Sequence, residues 1–196
     1  DIKEIRTAYA NDQVLMLVRY NDGANEQIAQ YASTSRGARF DLVSATWDVS
    51  GDEPDSMSVA PLPGGGFLVV YADGQSSTPR YRSRRIGSAF EDLQNADDVV
   101  LVAEDVGPTP SRTVWTDEDG VVYSVVSIDE GSTESTRLYR TADQGDSWEA
   151  WGGPIAELNP GAKDAYLTEF AATSTGGLGL LVSRYIAPTD GESDSA

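Results

Sequence analysis

The stretch Tyr139-Arg-Thr-Ala-Asp-Gln-Gly-Asp-Ser-Trp148 gathers residue types that can do chemistry: two carboxylates, two aliphatic hydroxyls, a guanidinium and two rings around one glycine. Three roles suit such a set: acid/base catalysis, cation binding, or a turn held by its own hydrogen bonds. The cation role is the poorest fit, because the stretch lacks the alternating oxygen ligands of a calcium loop and a turn would consume its acids. The chain has no His and no Cys. That excludes Ser-His-Asp and thiolate catalysis, disulfides and Cys-based zinc sites. Any catalysis must come from Asp, Glu, Tyr, Arg or Lys. No cofactor and no metal are expected.

The charge balance narrows the partners. Thirty-two acidic residues face 14 basic ones, a net charge of −18, and only Lys3 and Lys163 among the basic residues are lysines. The acids are spread along the chain, which opposes direct contact with nucleic acid or anionic membranes. Few lysines with many aspartates also fit a salt-adapted source. The longest apolar runs, Val14-Leu-Met-Leu-Val18 and Leu178-Gly-Leu-Leu-Val182, are strand-sized, far short of the roughly 18 residues a membrane helix needs. Membrane insertion is therefore not expected.

The elements that position the opening stretch appear as a repeat. Residues 30–40, 80–90 and 138–148 each read Tyr, any residue, Ser or Thr, then Gly four later and an aromatic three after that. The copies are Tyr31/Ser33/Gly37/Phe40, Tyr81/Ser83/Gly87/Phe90 and Tyr139/Thr141/Gly145/Trp148, with glycines 50 and 58 residues apart. An apolar strand precedes each copy, ending in Asp-Gly or Glu-Gly, a hairpin signal. Another short strand lies in front of that, and a further one follows the aromatic. "Ser88–Asp98" reads as a turn plus connector. Four short antiparallel strands per unit of about 50 residues is the pattern of a propeller blade.

Thr141-x-Asp143-x-Gly145-x-Ser147-Trp148 resembles the Asp-box of the sialidase superfamily, matching it at five positions. The other two copies depart from the box: Ser35 and Arg85 stand in place of Asp, Arg39 and Ala89 in place of Ser or Thr. The resemblance implies an all-β, sialidase-like β-propeller of four-stranded antiparallel blades. It further implies a tight turn between third and fourth strands, its Asp accepting backbone N–H groups and its aromatic packing into the blade. About three and a half blades of a six-bladed ring are expected: blade 1 over 1–50, blade 2 over 51–105, blade 3 over 106–160 and half of blade 4 over 161–196. The remaining blades would come from the parent chain or another subunit.

In this family the boxes lie opposite the functional face. That face would hold the loops between second and third strands (Asp22, Asp73, Asp129, Glu130, Asp190) and the blade connectors (Asp52, Glu53, Asp55, Glu104, Asp105). Sialidase chemistry needs three arginines for the substrate carboxylate, a Tyr nucleophile assisted by Glu, and an Asp acid/base. The resemblance assigns Arg6 to the first arginine, although Thr7-Ala8 replaces the family's Ile-Pro, and places Arg112 at the matching point of blade 3. Asp55 is the candidate acid/base, and Tyr166 with Glu169 the candidate pair. The incomplete set favours a non-catalytic binding or structural module, glycan-recognising, on a virus particle or in an extracellular setting. The alternative is a fragment of an active exo-sialidase.

Overall fold

The computed structural model describes residues 1–21, 23, 26–44, 54–73, 80–93, 96, 98–102, 114–129, 134–153, 156–158, 166–172 and 178–184. Fifteen strands fall into four antiparallel sheets. The first, blade 1, orders β1 (Ile2–Ala10), β2 (Gln13–Asn21), β3 (Glu26–Ser33) and β4 (Asp41–Ser44) side by side. Blade 2 repeats this with β5 (Pro54–Pro61), β6 (Phe67–Asp73), β7 (Arg80–Ile86) and β8 (Asp98–Val102). Blade 3 holds β9 (Val114–Thr116), β10 (Val122–Asp129) and β11 (Glu134–Thr141). Its fourth position is split between β12 (Glu149–Ala150) and β13 (Ala156–Leu158), both paired with β11. β14 (Tyr166–Ala172) and β15 (Leu178–Arg184) form a separate hairpin. The chain is thus all-β, in the sheet arrangement of propeller blades.

Burial follows from where each sheet sits. β1 alternates, its even residues from Glu4 to Ala10 less exposed than its odd ones, as expected of a strand covered on one face. In β6 the run Phe67 to Tyr71 is buried throughout, because blade 1 covers one face and blade 3 the other. One core joins Leu15, Leu17, Ile28 and Ala32 of blade 1 to Met57, Phe67, Val69, Tyr71 and Ile86 of blade 2. Two more join blade 2 (Ala60, Leu68, Val70, Tyr81) to blade 3 (Val122, Val126, Ile128, Tyr139).

The ladders give a common count for the three blades. Ala10 with Gln13, Leu62 with Gly66 and Asp117 with Val121 close the turn between first and second strands and form the first rung. On the second rung, Val14 pairs with Ser33, Phe67 with Ile86 and Val122 with Thr141. Ser33 and Thr141 therefore end their strands at equivalent places, and the blade 2 counterpart is Ile86.

This corrects the middle copy of the repeat. Ser83 is not a turn residue; it lies three residues inside β7, on the fifth rung opposite Val70. The blade 2 turn runs from Ile86 to Leu93, which places Phe90 where the other blades have glycine. Phe90 accordingly takes the positive φ of 56° that Gly37 and Gly145 take in their turns. Gly87 is held by Glu91, whose Oε2 accepts its N–H at 2.7 Å.

The outer two turns share one scheme. The Ser33 hydroxyl accepts the Gly37 N–H at 3.0 Å, and the Thr141 hydroxyl accepts the Gly145 N–H at 2.9 Å. Asp143 accepts one backbone amide, Ser147 N at 2.9 Å, and two hydroxyls, Thr141 at 2.6 Å and Ser147 at 2.5 Å. Side-chain hydroxyls, first Ser147 and then Thr141, hold its carboxyl down at about 2. Ser35 replaces it in blade 1 and accepts the Arg39 N–H at 3.1 Å.

The residue that closes each turn packs between blades, not within one. Trp148 lies against both blade 2–3 cores and donates from Nε1 to Ser83 Oγ at 3.0 Å. Leu93 fills the same place on blade 1, where Gln30 accepts its N–H at 2.8 Å and donates to Glu91 O at 3.0 Å. Gln30 and Ser83 both occupy the fifth rung of a third strand. A polar side chain of one blade thus meets the closing residue of the next.

Candidate functional site

The first strands of the blades lie side by side, β5 next to both β1 and β9. Side chains tie them together: Arg6 Nε donates to Met57 O at 3.0 Å, and Thr116 Oγ1 donates to Pro61 O at 2.7 Å. One end of this group carries the turns between first and second strands together with the turns at 33–40 and 141–148. Arg36 joins the two kinds, its N–H on Asp12 O at 3.3 Å and its guanidinium on the Asp12 carboxylate at 2.8 Å. The other end carries the starts of the first strands, the turns between second and third strands, and the connectors.

At that second end, Glu4, Arg6 and Arg19 form a cluster. The Glu4 carboxylate lies 2.6 Å from Arg6 Nη2 and 3.8 Å from Arg19 Nε, with only 10% of its side chain exposed. Glu4 and Arg6 share the β1 face turned to blade 2, and Arg19 is the ladder partner of Glu4. The bulge between Ile2 and Glu4 shifts the register that brings this pair together. Sequence reasoning found Arg6 but missed Glu4 and Arg19. The signal for Glu4 was its i, i+2 spacing to Arg6 on an alternating strand; the partnership with Arg19 needs the ladder.

The remaining candidates are not gathered here. Asp55 sits at a second bulge, between Pro54 and Ser56 at the start of β5. Bulges of this kind re-aim a strand next to functional sites. Arg112 lies outside the described residues, as do Asp22, Asp52, Glu53, Glu104, Asp105, Glu130 and Asp190. Asp73 and Asp129 end β6 and β10. Tyr166 pairs with Arg184 and Glu169 with Leu181 in an uninterrupted ladder. Those are positions of opposite parity, at odds with a shared role for the two. Among the described residues no group of three or more Asp or Glu is placed to hold a metal ion.

The opposite end holds an open cavity of about 390 Å³ between Tyr9, Asn11, the Pro61–Gly64 turn and the Thr116–Gly120 turn. Its polar groups are occupied locally. Tyr9 OH donates to Asp12 Oδ1 at 2.7 Å, a bond that raises the tyrosine's pKa, while Arg36 and then Tyr9 lower that of Asp12. Asp117 accepts the Val121 N–H at 2.8 Å and the Tyr123 hydroxyl at 3.2 Å.

No protein-family model and no curated protein matches the sequence. Solved structures do resemble it. A thermostable family-43 glycoside hydrolase superposes with a TM-score of 0.61 at 13% identity, over 94% of this chain and 66% of its own. The α-L-arabinanase of Penicillium chrysogenum, complexed with arabinobiose, gives 0.59 at 18% identity, over 93% of this chain and 52% of its own. An endo-arabinase from Bacteroides thetaiotaomicron gives 0.57 at 12%, over 96% and 76%. The chain thus spans about two thirds of the first and half of the second. At these identities the likeness is one of fold, and it is to glycosidases other than the sialidases whose boxes the turns resemble. A β-propeller-like fold shared with glycoside hydrolases is what the chain has.

Proposed function

We propose that the chain is a carbohydrate-recognising propeller module without hydrolytic activity of its own. Its glycan would lie on the face of the connectors and the turns between second and third strands. The observation that supports this is the fate of Arg6. An arginine meant for a substrate carboxylate must be free to form a bidentate pair. Here the guanidinium is bound to Glu4 and to the Met57 carbonyl. Withdrawing it would strand a largely closed carboxylate, a change that is strongly unfavourable. Further blades, from the same polypeptide or another subunit, complete the ring, and the setting is extracellular or the surface of a virus particle.

A second reading, part of an active glycoside hydrolase, draws on Glu4 itself. A nearly closed carboxylate on an innermost strand is a candidate acid or base in a fold shared with such enzymes. Calorimetric titration with arabino-oligosaccharides and sialyllactose, alongside an assay for released sugar, separates the two. Saturable binding without product is the expected result. Sugar release that Glu4→Gln abolishes would establish the hydrolase, and absence of binding to every glycan tried would sink the module.

A further inference from the structure

Blade 3 departs from blades 1 and 2 on the side turned away from blade 2. On the third rung blade 1 pairs Ala8 with Leu15, and blade 2 pairs Ala60 with Leu68. These modest side chains leave room for the next blade: Ala8 and Leu15 pack with Phe67, Ala60 and Leu68 with Val122 and Trp148. Blade 3 pairs Trp115 with Tyr123. A second position changes in the same sense. Three residues beyond Phe40 and Leu93 stand Val43 and Ala96; three beyond Trp148 stands Trp151.

The three rings form one cluster. Trp115 and Tyr123 lie 5.6 Å apart, and Tyr123 meets Trp151 edge-on at 5.4 Å. The cluster is anchored through the Tyr123 hydroxyl on Asp117 and the Trp151 N–H on Leu138 O at 2.8 Å. Trp151 nevertheless keeps 47% of its surface exposed. Beside it stands Arg140, 5.8 Å over the indole and bound through Nε to Glu149 at 2.7 Å, both side chains still reaching solvent. Gly152 and Gly153 follow with nothing within 4 Å of where a Cβ would be, so the approach is open.

A rigid, half-exposed indole flanked by a guanidinium and a carboxylate matches a sugar ring. The C–H face lies on the aromatic surface while hydroxyls at the rim take hydrogen bonds from the paired charges. Neither polyanions nor a further blade suits the patch as well. The net charge of −18 and Glu149 repel the first. The second would meet rings where the existing blade contacts use Ala and Leu. We propose that Trp151, backed by Tyr123 and Trp115 and flanked by Arg140 and Glu149, is a stacking site for a neutral oligosaccharide. It rests on the reading that the chain recognises glycans, and adds a site at the opposite end of the blades from Glu4.

The test is a fluorescence and calorimetric titration of the 196-residue chain with cellotetraose, xylotetraose, mannotetraose and arabinotetraose. Saturable binding by at least one is expected, weakened about tenfold or more by Trp151→Ala. Trp151→Phe should keep it within about threefold, as a ring still stacks, and Glu4→Gln should leave the Trp151-dependent binding unchanged. Thermal melts showing Trp151→Ala folded exclude a trivial loss. Binding that survives Trp151→Ala, or that falls only with Glu4→Gln, overturns the site while leaving the glycan-binding module standing. No binding by the unmodified chain overturns both.

Discussion

The turns that close blades 2 and 3 occupy the same place in the fold and are built from different chemistry. In blade 3 a carboxylate and two hydroxyls hold residues 141–148, and the Trp148 side chain carries the bond to the preceding blade. In blade 2 the Glu91 carboxylate reaches back to Gly87, and it is the Leu93 backbone that bonds to Gln30. The ladder decides where the closing residue falls. What holds the turn around it is free to vary, provided the buried polar partner on the preceding blade is satisfied.

The largest effects are expected where that partner is lost. Gln30 is buried and serves two main-chain groups of the blade 2 turn. Gln30→Ala leaves the Leu93 N–H and Glu91 C=O without partners and opens a void, for a loss of about 3 kcal/mol in urea unfolding. Ser83→Ala, on the same rung, frees only the Trp148 indole N–H and should cost about 1 kcal/mol. Equal costs for the two would break the distinction between a backbone and a side-chain plug.

A double-mutant cycle sharpens it further. Trp148→Ala removes the ring from two interblade cores and should cost about 2–3 kcal/mol. Once it is gone, Ser83→Ala should cost almost nothing more, a coupling of about 1 kcal/mol. Leu93→Ala and Gln30→Ala should instead be close to additive in their hydrogen-bond part, because Gln30 bonds the backbone. Coupling between Gln30 and the Leu93 side chain as large as that between Ser83 and Trp148 would contradict the scheme.

The same comparison explains what could be read from sequence. Alternation, turn signals and the near-constant glycine spacing identified antiparallel four-stranded units, because these patterns are local. The middle turn was read three residues early. Tyr81-x-Ser83 with Gly87 and Phe90 imitates the pattern, and only the pairing of Phe67 with Ile86 shows where β7 ends. Glu4 and Arg19 were illegible for a similar reason, since they meet across a ladder displaced by a bulge. The aromatic cluster of blade 3 emerges only when Trp115 is set beside Ala8 and Ala60 on a common rung. Arg6 was found but not its engagement with blade 2, which depends on contact between sheets.

Acid should separate the two turns by a smaller margin. The Asp143 carboxyl is held at about 2, below its ordinary 3.8, by hydroxyls that bond its charged form. A lowered folded-state pKa gives stability that is complete above the unfolded value and is lost as pH falls from about 4 towards 2. The equivalent residues in the other turns, Ser35 and Ser88, have nothing to titrate there. Asp143 is exposed to solvent, so screening limits its share to under about 1 kcal/mol. Many other carboxylates titrate in the same range, so the measurement is a difference. The gap in urea midpoint between the natural chain and Asp143→Asn should narrow between pH 5 and pH 2.5. A gap that stays constant would mean the Asp143 charge contributes nothing to the turn, and the two turns would then differ in shape alone.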